Sequence, residues 1–240
     1  MVMADDPTQG DDSLDELLGV IDTYAATGKP LDLLGLASSA TAIVRHPGRD
    51  VDPLKALLHE QVLEAMVDRY AEIGSASSVA FAATLAGIAA DPVLRGRLRS
   101  GLDGTEAELP GWLAALDDAR LEQPTLVRDL LDADEWLLAG VRLADDGRFT
   151  FRIEVDHDAD GLVADGVLMG MTVEAILDRL RATAPEDEVL ITELTPSELA
   201  GRYAEAIAVT DAAPDPPRSD TWPGCRPLVE WALTLPLAPS

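Results

Sequence analysis

Cysteine occurs once in this 240-residue chain, at Cys225, so neither an intrachain disulfide nor a cysteine-built zinc site is available. Basic residues are scarce: 18 Lys+Arg stand against 44 Asp+Glu, a formal net charge of -26. Only Lys29 and Lys55 are lysines. Nucleic-acid binding depends on a basic surface that displaces counterions from phosphates, so this composition argues for no nucleic acid as partner. An anionic membrane surface is disfavoured for the same reason. No apolar run reaches the roughly 18 residues that suggest a membrane span, and none is expected. The opening residues, 1–12, lack the basic-then-apolar order of a signal peptide. These absences fit a soluble protein of the reducing cytoplasm.

What is present suffices for a core: 47% of the residues are hydrophobic. The length suits one large domain or two small ones, at roughly 100–200 residues each. Residues 1–12, with Asp5, Asp6, Asp11 and Asp12, read as a disordered acidic tail. Ser13 and Glu16 have capping-box spacing ahead of Leu14, Leu17, Leu18 and Ile21. Gly28 and Pro30 separate this helix from the next, which runs to about Val44. Asp52-Pro53 and Asp91-Pro92 open further helices, and another covers about Ser77 to Ala90. Shorter helices are expected over 110–121 and 124–132. Residues 13–133 thus form an antiparallel helical array.

Beyond residue 133 the period changes from 3.6 to 2. Leu137, Ala139, Val141 and Leu143 alternate on one side of Asp146-Gly147, and Phe149, Phe151, Ile153 and Val155 on the other. This predicts a β-hairpin with one apolar face. A helix behind Thr172, a strand over 188–194, a helix behind Thr195-Pro196-Ser197-Glu198 and a last short helix around Trp231 follow. The expected fold class is α+β: a helical array, then, over 134–240, a small sheet (the β-hairpin plus one strand) covered by helices. The two halves are free to share one core.

The densest polar constellation is Asp156, His157, Asp158, Asp160 and Asp165. Asp156 to Gly161 matches the opening of a calcium loop, in which carboxylate oxygens converge and Gly lets the chain turn. Val167 stands where that motif needs a bidentate Glu, and a strand precedes it where a helix belongs. The alternative is an acid-rich turn of Asx type. His59-Glu60 opens a zinc-protease motif, but Leu63 occupies the place of the second His. Arg95, Arg97 and Arg99 form the one basic cluster, most simply a solvated face paired with acids. Trp112, Trp136, Trp222 and Trp231 read as packing residues, and Cys225 as an inert thiol. No glycine-rich phosphate loop and no nucleophile elbow occurs, so no cofactor and no catalytic set is expected.

With Leu109-Pro110-Gly111-Trp112-Leu113, and with Val155-Asp156-His157 followed by Gly161, Leu162 and Asp165, the chain resembles a set of uncharacterised actinobacterial proteins. Asp158 and Ala164 depart from the Asn and Lys of that pattern. The resemblance implies no particular activity. Three readings of function stand side by side: a non-enzymatic protein-interaction module with a protein partner, a basic one among the options; a weak divalent-cation or small-ligand binding protein or enzyme using the 156–165 loop; and an acidic mimic of nucleic acid. The oligomeric state is left open.

Overall fold

The computed structural model describes residues 8–45, 53–105, 107–130, 134–185, 188–214 and 219–239. Helices α1 (Thr8–Ala26), α2 (Pro30–Arg45), α3 (Pro53–Ile73), α4 (Ala76–Gly87) and α5 (Pro92–Ser100) make the array. Most of the expected tail, residues 1–7, lies outside the described residues. Helix α1 begins five residues before Ser13, which therefore sits inside the helix and not at its cap.

Helix α4 is alanine-rich and apolar all round, and Ser78 through Gly87 are buried. A helix without a polar face belongs inside, and α1, α2, α3 and α5 pack around it. Ser75 caps it through the Ser78 N–H. Phe81 meets Tyr70 of α3 edge-on, with ring centroids 5.1 Å apart.

The short helix α6 (Gly111–Ala114) and a 3₁₀ turn at Leu116–Asp118 lead to the sheet. Its strands are β1 (Arg120–Asp129), β2 (Asp134–Arg142), β3 (Arg148–Asp156), β4 (Leu162–Met169) and β5 (Val189–Glu193), in the order β4-β3-β2-β1-β5. Every strand–strand pairing is antiparallel, and Leu121 of β1 adds an isolated parallel bridge to Leu237. Helices α7 (Val173–Thr183), α8 (Pro196–Ala212) and α9 (Trp222–Ala232) complete the chain. The α+β class stands, and the β2–β3 hairpin turns at Asp146-Gly147, where Leu143 N–H bonds Gly147 O at 2.8 Å. Thr172 caps α7, and Thr195 with Glu198 forms the expected capping box on α8.

Two strands correct the expectation. Residues 120–129 are β1, where short helices over 110–121 and 124–132 were expected, and the second half of the supposed acidic loop is β4. Each carries a bulge. In β1 the register with β2 slips between Glu122 and Thr125, with Gln123 at φ 45° and Pro124 at the irregularity. A bulge is one of the few places a sheet accepts proline. In β4 Ala164 is the extra residue, since Glu154 opposes Asp165 while Val155 opposes Val163. A bulge inverts the inside-outside parity midway, so neither strand shows a clean period of two.

One sheet face carries Leu137, Ala139, Val141, Phe149, Phe151, Ile153 and Val155, and merges with the helical array into a single core. The other face is covered over Val127 and Leu138 by Val173 and Leu177 of α7. The array and the α+β region thus share their interior. Helix α9 seals the junction against α2. Pro227 lies inside α9, and the fully buried Ser38 of α2 fits beside it. The Ser38 hydroxyl donates to Gly224 O and accepts from Leu228 N–H at 3.1 Å. Those two backbone groups are four residues apart and would otherwise bond each other. Ser38→Ala leaves both without the hydroxyl, and the expected loss is about 1–3 kcal/mol in urea melts. A change below about 0.5 kcal/mol would show that α9 recloses its own ladder.

Candidate functional site

The β3–β4 connection holds four of the five residues singled out as candidates. It is a tight turn: Asp156 Oδ1 accepts from Ala159 N–H at 3.0 Å, and Gly161 N–H bonds Asp156 O at 2.9 Å. Asp160 and Gly161 follow in the left-handed region, at φ 62° and 81°. Glycine at the second position lets the chain enter β4 without a Cβ clash. The carboxylate of Asp156 therefore holds the turn from its first residue by accepting the N–H three residues on. His157, Asp158 and Asp160 are exposed. Among the described residues no three His, Cys, Asp or Glu side chains are grouped closely enough to hold a metal ion.

Asp165 lies in β4, away from the turn, and anchors the start of α9. It accepts from the hydroxyls of Ser219 and Thr221, while Ser219 Oγ accepts from Trp222 N–H at 2.8 Å. Beside it Trp222 seats on Gly166, where a Cβ would come within 2.3 Å of the indole. Partial burial raises the Asp165 pKa, but the Ser219 and Thr221 hydroxyls, the Gly166 N–H and the Arg152 charge together lower it below the ordinary value. Cys225 is buried one turn along α9, and its thiol is pushed up to about 11 by burial and then by the Asp165 charge. It is a protonated thiol at neutral pH, as the sequence suggests.

His157 points to a constellation that the sequence reading did not find. Its Nε2 is 3.5 Å from Glu135 Oε2. The Glu135 side chain is only 3% exposed, and it also receives Arg128 of β1 and Arg202 of α8, each at 3.0 Å. The three partners come from β1, α8 and the β3–β4 turn, so one buried carboxylate ties α8 to the sheet. Arg128 pairs with Glu135 across the ladder, as the register requires. The signal was available in part: Glu135 has the parity of Leu137, Ala139 and Val141, so it is an acid on the core side of a strand. Arg202, 67 residues away, had none.

The remaining motifs resolve into packing. Arg97 pairs with Glu60 and Glu64, Arg99 makes two bonds to Asp117 at 2.7 and 2.8 Å, and Arg95 Nε bonds Ala89 O at 2.8 Å. His59 is half-buried on α3 in line with Leu63, Met66 and Tyr70. Trp112, Trp222 and Trp231 are core, and Trp136 carries the Arg152 guanidinium 4.9 Å above its ring. No helix among the described residues is long and apolar enough to cross a membrane.

Two variants test these anchors. Glu135→Ala is expected to cost about 2–3 kcal/mol, less than the roughly 3–5 kcal/mol of a fully buried broken pair, because the half-exposed arginines can return to water. A loss below about 0.5 kcal/mol in denaturant melts would separate α8 docking from this carboxylate. Because its folded pKa is depressed, Asp165 contributes stability that is complete above about pH 4 and is lost as pH falls through the lower folded value. The stability gap between wild type and Asp165→Asn should be constant from about pH 5 to 8 and narrow below pH 4. A gap that widens on acidification contradicts the assignment.

Comparison of the chain with family models, with curated proteins and with solved structures finds no match.

Proposed function

We propose that this chain is a cytoplasmic, non-enzymatic interaction module whose partner is a basic protein segment. The supporting observation is electrostatic. The arginines are largely committed to acids of the same fold: Arg97 to Glu60 and Glu64, Arg99 to Asp117, Arg128 and Arg202 to Glu135, Arg226 to Asp211 and Glu230. Among the described residues many acids, such as Asp145, Asp146, Asp158, Asp160, Glu174 and Glu193, are exposed on this chain of net charge -26. Such a field accelerates encounter with positive partners and repels negative ones. The single cysteine, buried on α9, suits a reducing compartment.

The test uses a labelled short peptide of alternating Lys and Val, with a Glu-Val peptide as the opposite-charge control. Fluorescence anisotropy should show binding of the cationic peptide alone, weakening about tenfold or more between about 50 and 300 mM salt as screening sets in. Absence of binding at low salt, or equal binding of the Glu-Val peptide, removes this reading.

A further inference from the structure

We infer that the basic partner docks as an added strand on the outer edge of β5, an inference that rests on the proposed function above. The β1–β5 ladder determines which backbone groups are available. Leu130 N–H bonds Glu188 O, and Leu194 N–H bonds Pro124 O, each at 2.8 Å. Between these two bonded pairs the register runs Asp129 with Val189, Arg128 with Leu190, Val127 with Ile191, Leu126 with Thr192 and Thr125 with Glu193. In an antiparallel ladder every second pair exchanges hydrogen bonds. Leu190 and Thr192 therefore turn their N–H and C=O groups toward β1, while Val189, Ile191 and Glu193 turn theirs away from the sheet. Among the described residues no backbone group bonds those three on the outer side.

Sheets blunt an open edge with charge, a proline, a bulge, a covering segment or shortness, and β5 uses only its acidic ends and its five-residue length. Val189–Glu193 has no lysine, no proline and no register slip. Leu190 is 47% exposed on it, and Leu130 of the adjoining chain is exposed nearby. Main-chain addition to such an edge is a general mode of peptide capture, in which the backbone supplies affinity and side-chain sites supply selectivity.

Charge selects the occupant. Glu188 and Glu193 bracket the strand. Glu193 also borders a cleft of about 450 Å³ that includes Glu122, Glu174, Gln123, Thr172 and Arg148. Arg148 is engaged there with Glu122, which Arg142 also holds at 3.2 Å. Glu174 and Glu193 are both exposed on the rim. Arg179 and Arg181 stand at the far end of α7, and Arg181 pairs with Asp178. A strand with Lys or Arg opposite Glu193 gains a cross-strand ion pair and reaches this rim. A second copy of the chain would instead bring another -26 charges to the edge.

The experiment compares the Lys-Val peptide with the same peptide N-methylated at every backbone amide, which keeps length and charge, has no backbone donors and cannot complete a ladder in any register. On the full chain the Lys-Val peptide should bind about tenfold tighter or better. Amide hydrogen exchange should slow at Val189, Ile191 and Glu193, while Leu190 and Thr192 are already protected without it. Ile191→Pro removes an outward N–H that β1 does not use, a substitution an edge strand tolerates, and should bring the two peptides to equal affinity. Should that variant fold poorly, the exchange pattern of the wild type decides alone. Equal binding of both peptides with unprotected Val189, Ile191 and Glu193 overturns strand addition and leaves the charge-based reading standing. Failure of both peptides to bind overturns both. Protection that rises with protein concentration alone assigns the edge to a second copy and overturns the basic occupant.

Discussion

Much of this fold hangs on how α9 is seated. Pro227 lies within the helix that must close the core, and Ser38 from α2 bonds the turn around it with one hydroxyl used in both directions. Once α9 is fixed there, Trp222 lies over Gly166 and the segment before it reaches Asp165. The edge strand β4 is thereby pinned by a helix from the far end of the chain. Arg226, on the same helix, holds Asp211 of α8 through two bonds at 2.7 and 2.8 Å.

The second organising force is an unequal division of charge. Exposed ion pairs contribute little singly, typically about 0–1 kcal/mol. The arrangement around Glu135 differs because its carboxylate is withdrawn from water, and cations from two elements replace the lost hydration. Positive charge is spent on joining elements, so the negative remainder shapes what approaches from outside. The same economy explains why the Arg95–Arg99 cluster does not make a basic patch: each of its members is turned onto a neighbouring acid or carbonyl.

The sequence was legible wherever a local rule was obeyed without interruption. The β2–β3 hairpin, the Thr195–Glu198 capping box and the Thr172 and Asp91 caps depend on a few adjacent residues, and all stand in the structure. Strands β1 and β4 were not legible, because the extra residue near Gln123 and at Ala164 shifts every later side chain to the opposite face. Pro124 strengthened the error, since proline opens helices more often than it sits in sheets. The four candidate acids and the histidine were close in sequence, yet the fold sends them to different duties: Asp156 to a turn, His157 to Glu135, Asp165 to α9, and Asp158 and Asp160 to solvent. Glu135, Arg128 and Arg202 assemble only when α8 crosses the sheet, which no window of sequence contains.

The long reach between Ser38 and α9 also orders events in time. Their bonds span 186 and 190 residues, so during synthesis α2 emerges long before its partner exists. At about 5–20 residues per second, the apolar side of α2 waits on the order of ten seconds or more for its cover. Until then Leu33, Leu34 and Ala37 have only the earlier parts of the shared core to lie against. The core that α2 and α9 share is therefore closed across a long loop, which only the finished chain can span.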